Sequence, residues 1–128
     1  MLQFTVLVLL NLFSVSHGLF AEEFSEISFK TDDGATIYAN LYETGEPAVI
    51  LAHGAIFNKE SWHVLSTALT DDGLQVLAID FRGYGKSKPG SRSNGMYLDL
   101  FAGIEFLSNQ GAKRVSMLGA SMDGGAAS

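Results

Sequence analysis

Three short apolar runs that do not alternate with polar residues limit what this chain can fold into. They are "AVILAHG" (48–54), "LQVLAID" (74–80) and "RVSMLG" (114–119). A strand with one solvated face shows a period of two, whereas a continuous run suits a strand covered on both faces, as in a parallel sheet. Between the runs lie helical patterns. In 58–73, Asn58 is placed to cap, Trp62, Leu65, Ala68 and Leu69 form one stripe, and Gly73 offers a stop. In 93–111, Tyr97, Leu100, Phe101, Ile104 and Leu107 recur at helical spacing, and Gly111 follows the end. Strand, helix, strand, helix, strand implies right-handed crossovers and an α/β fold with an open, mostly parallel sheet flanked by helices.

Ahead of this unit the texture is different. Ile27 and Phe29 alternate with Ser28 and Lys30, and Ile37, Ala39 and Leu41 alternate with Tyr38, Asn40 and Tyr42. The Asp33-Gly34 pair between them is a hairpin signal, so a leading antiparallel β-hairpin with one buried face is expected.

The first 21 residues carry no charged side chain, and 2–15 are mostly apolar, broken by Asn11 and Ser14. Small residues follow, with candidate cleavage after Gly18 or Ala21. That is the build of a secretory signal peptide over 1–21, with an uncleaved anchor or a buried first strand as the alternatives. An exported, periplasmic or extracellular protein is expected, touching a membrane only through this segment. The remainder, 22–128, reads as one domain. A net charge of −6, with the two signs scattered, argues against nucleic acid and anionic surfaces. The absence of cysteine excludes disulfides, thiolate catalysis and Cys-ligated zinc. No metal-ligating pattern is visible.

In open parallel sheets the ligand site lies beyond the carboxyl ends of the strands. The residues there are "HGAIF", "DFRGYGKS" and "GASMDGG", all richer in glycine and polar groups than plain connections need. Ser121 follows the last run by two residues and opens an apparent helix. A sharp strand-to-helix turn presents such a hydroxyl into the crevice, and small neighbours such as Gly119 and Gly124 allow the turn to be tight. The Met122 N–H at the helix start is then a candidate oxyanion donor. After the first run, His53-Gly54 turns the chain and the Ala55 N–H is a candidate second donor. His53 is expected to bond neighbouring loops rather than move protons. Asp80 and Arg82 are expected to brace their loop through charge-assisted bonds, with Gly83 and Gly85 permitting close turns. A lone G-x-G here is no nucleotide fingerprint.

Taken together, these motifs and their order resemble the N-terminal half of the α/β-hydrolase superfamily. "HGA" corresponds to the oxyanion turn, "DFRGYGKS" to the loop after the fourth strand and "GASMDGG" to the nucleophile elbow. The resemblance covers about residues 26–128 and is nearest in style to the esterase, lipase and serine-aminopeptidase-like branch. It implies a serine hydrolase with Ser121 as nucleophile, needing no cofactor. Its substrate would be a small-molecule, lipid or peptide acyl compound. The family elbow is G-x-S-x-G, whereas this chain has Asp123 in the fifth position, followed by two glycines. An Asp123-centred elbow would want glycine two residues earlier, where Ser121 stands.

A serine hydroxyl needs a base, and the base an orienting acid, which in this fold follow the serine in the order Asp or Glu, then His. Only Asp123 follows Ser121, and no histidine does; His17 falls in the signal and His63 in a helical stripe. The chain therefore reads as the front of a hydrolase of roughly 250 residues or more. By itself it is expected to be inactive, with the last apolar run left as a sheet edge. The competing readings are a catalytically inactive binding protein that keeps the fold, for which Asp123 is the hint, and a fragment without function.

Overall fold

The computed structural model describes residues 24–43, 45–54 and 57–119. The segment read as a signal, the Ala55 and Ile56 pair, and everything from Ala120 onward, including Ser121, Met122 and Gly124, lie outside the described residues. Among the described residues five strands form one sheet: β1 (Ser25–Lys30), β2 (Thr36–Tyr42), β3 (Ala48–Ala52), β4 (Gln75–Ile79) and β5 (Val115–Gly119). Two α-helices accompany them, α1 (His63–Asp71) and α2 (Met96–Asn109).

The sheet order is β1-β2-β4-β3-β5. The expected hairpin joins β1 to β2 in antiparallel register, and β2 pairs antiparallel with β4. β3 pairs parallel with β4 on one side and with β5 on the other. Only β2 therefore runs against the rest. Every residue of β3 and β4 is buried, as continuous apolar runs require.

Three sequence expectations are corrected. The hairpin does not have one wet face throughout: Asn40 and Tyr42 are buried along with Ala39 and Leu41. β2 lies inside the sheet, and Tyr42 packs with Val49, Leu51 and Val76 under Trp62, Leu65 and Leu69. Ala68 is exposed, and its place on the inner face of α1 is taken by the buried Ser66. On α2, Tyr97 and Phe101 point outward, 39% and 59% exposed. The inner face is Asp99, Leu100, Gly103 and Leu107, because Asp99 is drawn to an arginine below. β5, unlike the other two parallel strands, is not covered among the described residues: Met117 and Leu118 are 39% and 45% exposed. Among the described residues its partner in the sheet is β3 alone.

The helical segment after β3 begins as a 3₁₀ turn (Lys59–Trp62) before continuing as α1. Asn58 caps it reciprocally: its Oδ1 accepts from Ser61 N–H at 3.2 Å, and Ser61 Oγ accepts from Asn58 N–H at 3.1 Å.

Arg82 ties the hairpin to α2. All five of its guanidinium donors are used. Asp99 Oδ1 accepts from Nε and Nη2 at 3.0 and 2.9 Å. Asp33 accepts from Nη1 and Nη2 at 2.7 and 2.8 Å, and the Arg92 carbonyl from Nη1 at 2.9 Å. The Arg82 backbone N–H adds a bond to Asp99 Oδ2 at 2.9 Å. Three separate segments thus converge on one buried cation. Asp33, read from sequence only as a turn residue, is a structural anion. The Arg82 guanidinium, helped by the Thr31 hydroxyl and the Arg92 N–H, holds its carboxyl well below the usual range. Burial pushes Asp99 the other way, against the pull of Arg82.

The sign of the pH effect follows. A carboxylate lowered by folding adds stability that is complete above its unfolded value, about 4, and is lost as pH falls below it. Because Asp99 is shifted in the opposite direction, the contrast to measure is wild type against Asp33→Asn. Thermal melts from pH 7 downward should show wild type more stable at neutral pH. The gap should narrow steadily below about pH 4, in the range where a free carboxyl protonates. A gap that stays constant with pH would show that Asp33 is not held as a charged partner of Arg82.

Candidate active site

The parallel register brings three chain exits to one level. Ala52 at the end of β3 lies opposite Ile79 of β4 and opposite Gly119 of β5. β3 is in the middle, so the residues after it leave the sheet between those after the other two strands. Neighbouring strands are about 4.8 Å apart, and the three polar motifs therefore begin side by side at the carboxyl edge.

His53 and Gly54 follow β3 directly and are buried. The His53 ring is 1% exposed and has one backbone partner at each nitrogen. Phe81 N–H donates to Nε2 at 3.1 Å, which requires a lone pair there and puts the ring proton on Nδ1. Nδ1 then donates to the Gly54 carbonyl at 2.8 Å. The rings of Phe81 and Tyr84 stand edge-on to the imidazole, with centroids 5.4 and 4.7 Å away. Gly54 O also accepts from Phe57 N–H at 3.1 Å.

Asp80, just past β4, is fully buried. Its Oδ1 accepts from the Lys59 backbone N–H at 2.7 Å and stands 3.9 Å from His53 Nε2. Its backbone N–H donates to the Tyr38 carbonyl at 2.9 Å, and its carbonyl accepts from Ser87 Oγ–H at 2.7 Å. Asp80 and Arg82, adjacent but one in the same loop, do not share partners. Asp80 braces the segment after β3, and Arg82 braces the hairpin and α2. Gly83 and Gly85 both sit at positive φ, +82° and +54°, in the tight loop that returns to Ser87.

Lys59 escaped the sequence reading, since a lysine beside a capping residue looks like a solvated one. It is 4% exposed. Its ammonium lies 2.7 Å from Glu60, 3.0 Å from Glu26 and 3.3 Å from Asp80 Oδ2. The last of these is an ion pair without hydrogen-bond geometry, and Oδ2 has no hydrogen-bond partner among the described residues. Burial disfavours the charge on Lys59, but the carboxylates of Glu60, Glu26 and Asp80 outweigh it and hold the ammonium above its ordinary range. Asp99 escaped as well, because an acid in the first turn of a helix looks like a dipole partner. In sequence, only the mismatch of a polar residue between Leu98 and Leu100 on the inner face hinted at burial.

Of the three histidines, His53 has both nitrogens committed to backbone groups, and His63 Nδ1 meets the Tyr42 hydroxyl at 2.8 Å. His17 falls outside the described residues. A cavity of about 210 Å³ opens beside the turn after β3, lined by His53, Gly54, Phe57, Ser61 and Trp62. Phe57 and Trp62 supply its apolar walls, and it adjoins the place where the chain leaves β3. Among the described residues no group of His, Asp and Glu side chains is arranged to hold a metal.

Known proteins share both the pattern and the shape. An esterase from Pyrococcus furiosus superposes with a TM-score of 0.73 at 28% identity, over 82% of this chain and 43% of that one. Epoxide hydrolase A from Mycobacterium thermoresistibile superposes with a TM-score of 0.64 at 31% identity, over 75% of this chain and 31% of that one. In sequence, epoxide hydrolase A of Mycobacterium tuberculosis is 53% identical over 45 residues, 35% of this chain and 14% of the relative. The chain thus spans less than half the length of each of these relatives. Residues 47–127, which run from the start of β3 through the motif around Ser121, match the alpha/beta hydrolase fold family, and the chain belongs to that family.

Proposed function

We propose that this chain carries the nucleophile and the oxyanion site of a serine hydrolase that cleaves a carboxylic ester through an acyl-enzyme. The observation that carries the reading is the flush register of β3 and β5. Gly119 is level with Ala52 on the adjacent strand. The chain therefore leaves β5 towards Ser121 and Met122 beside the point where it leaves β3 for His53 and Gly54. An elbow serine needs an oxyanion donor from such a neighbouring loop.

In this mechanism the Ser121 hydroxyl attacks the acyl carbonyl while a base takes its proton. The N–H groups of Ala55 and Met122 hold the oxyanion, the alcohol leaves with a proton, and water releases the acid. Neither His53 nor His63 is assigned as the base: both ring nitrogens of His53 are held by backbone groups, and Nδ1 of His63 meets the Tyr42 hydroxyl. The base and its acid are assigned to protein outside these 128 residues, which fits a chain that spans less than half of its relatives. Gly119 and Gly124 give the elbow room, while His53, Gly54, Asp80 and Arg82 support the turn and loop around it. The reaction calls for no cofactor. The substrate is a small-molecule, lipid or peptide acyl compound, and the segment over 1–21 directs export to a periplasm or the extracellular space.

The 53% identity to epoxide hydrolase A favours epoxide opening as the second reading. A carboxylate nucleophile would be needed for it, and Asp123 would have to serve with Ser121 where an elbow wants glycine.

A fluorophosphonate probe applied to the intact protein in the cells that make it, with peptide mass spectrometry, tests the first reading. The adduct is expected on Ser121. Ser121→Ala is expected to lower kcat/KM for a p-nitrophenyl ester more than about 10⁴-fold. An unlabelled Ser121 beside labelled serine hydrolases of the same extract would contradict the reading. Epoxide turnover that survives Ser121→Ala would favour the second.

A further inference from the structure

We propose that Asn94 is a site of spontaneous covalent modification. Its side chain condenses with the backbone nitrogen of Gly95, loses ammonia, and leaves an aspartyl or isoaspartyl residue at the start of α2. This goes beyond the hydrolase reading and does not depend on it.

The chemistry sets three requirements. The backbone nitrogen after the asparagine gives up its proton to hydroxide and attacks the side-chain carbon Cγ. A new N–C bond closes a cyclic succinimide, and the bond from Cγ to the side-chain nitrogen breaks, releasing ammonia. Water then opens one or other carbonyl of the ring. One opening gives aspartate; the other puts the side-chain methylene into the main chain as isoaspartate. Water enters, ammonia leaves, and nothing is oxidised or reduced. The asparagine side chain must therefore be free to turn. The next residue must not crowd the ring, and its N–H must not be held in a hydrogen bond.

Asn94 alone of the described asparagines meets all three. Asn40 is buried in β2. Asn58 is spent on capping, and the N–H after it, that of Lys59, is bonded to Asp80 at 2.7 Å. Asn109 is exposed, but the Gln110 N–H closes the end of α2 on the Phe106 and Leu107 carbonyls, both at 3.1 Å. Asn94 stands exposed in the turn ahead of α2 and is followed by glycine, which has no side chain to crowd the ring. Neither its side chain nor the Gly95 N–H has a hydrogen-bond partner among the described residues. The described Asp-Gly pairs close the same ring more slowly, and their glycine N–H groups are held. Gly34 donates to the Thr31 carbonyl at 3.1 Å and Gly73 to the Thr70 carbonyl at 2.9 Å.

The fold itself requires the glycine that makes Asn94 labile. Gly95 has a φ of −103°, which any residue adopts. A Cβ there would run into the Arg82 guanidinium, which lies against the Gly95 α-carbon. Arg82 also donates to the Arg92 carbonyl at 2.9 Å, and the Arg92 N–H donates to Asp33 at 2.9 Å. The segment 92–95 thus wraps the same buried cation that ties the hairpin to α2. Packing of that cation excludes the side chains that would protect Asn94. At neutral pH each product adds one negative charge to the −6 of the sequence. Aspartate keeps the main chain as it is, and its charge beside the amino end of α2 is favourable. Isoaspartate lengthens the main chain between Arg92 and Gly95, both of which touch Arg82, so one of those contacts has to shift.

The intact protein, kept folded in neutral buffer for weeks and then digested with trypsin, tests this by peptide mass spectrometry. Conversion is expected at Asn94, faster as pH rises, with isoaspartate outnumbering aspartate and with Asn40, Asn58 and Asn109 unchanged. Asn94→Gln, whose longer side chain closes the corresponding ring far more slowly, should stay unmodified over the same interval. A synthetic peptide of sequence 91–97 supplies the rate without the fold. Asn94 still intact in the folded protein when the peptide is largely converted would overturn the proposal, and so would earlier conversion at Asn58 or Asn109. Hydrogen exchange reads the consequence for Arg82. In the isoaspartyl protein the amides of Arg92 and Leu98, bonded to Asp33 and to the Gly95 carbonyl, should exchange about tenfold faster than in Asn94→Asp. Equal exchange in the two would overturn the link between the modification and Arg82.

Discussion

The carboxyl end of β4 is the point from which the rest of this structure is held. In three successive residues, Asp80, Phe81 and Arg82, the chain hands out bonds to the segment after β3, the hairpin turn and α2. Asp80 accepts the Lys59 N–H and so fixes where the chain re-enters a helix after β3. Phe81 N–H sets the tautomer of His53. Arg82 gathers the hairpin turn through Asp33 and α2 through Asp99. None of these contacts is local in sequence, and all three residues are 7% exposed or less. These bonds are buried, where a polar group left without its partner is costly, so each one resists separate opening.

The charges in this region do more to specify than to stabilise. Burying Lys59 among Glu26, Glu60 and Asp80, or Arg82 between Asp33 and Asp99, costs desolvation that the pairing roughly repays. Removing one partner leaves a buried charge alone, and that loss is severe. Such a pair therefore excludes arrangements in which β4 ends one residue earlier or later, because a shift of one residue would turn Asp80 or Arg82 to the wrong face. The hydrophobic contribution comes from β3 and β4, whose ten residues are all buried and, after Gln75 at the start of β4, all apolar until the strands end. The site is polar and glycine-rich because it begins where that constraint stops.

Much of this was legible in the sequence. Unbroken runs such as "VLAI" cannot make a half-wet strand, so the parallel core and its carboxyl edge followed from texture alone. The hairpin followed from Asp33-Gly34, and the cap from Asn58. What escaped was anything decided by partners distant in sequence. The helix after 95 turned by a fraction of a turn from its expected stripe because Asp99 satisfies Arg82, which outranks burial of Tyr97 and Phe101. Lys59 was hidden for the same reason: three acids from three places in the chain make a buried lysine tolerable, and no local pattern announces them. The sequence marked His53 as a brace of neighbouring loops, but the groups it meets, Phe81 N–H and the Gly54 carbonyl, are backbone atoms without a side-chain signature.

Native-state hydrogen exchange at three amides tests the central claim most directly. Lys59, Phe81 and Arg82 lie outside the strands and would count as loop or helix-start amides by position. If the end of β4 closes the site as described, these three exchange as slowly as Leu77 and Ala78 within the strand, through the same opening of the whole fold. Exchange at the rate of exposed loop amides would show that the site is held from elsewhere.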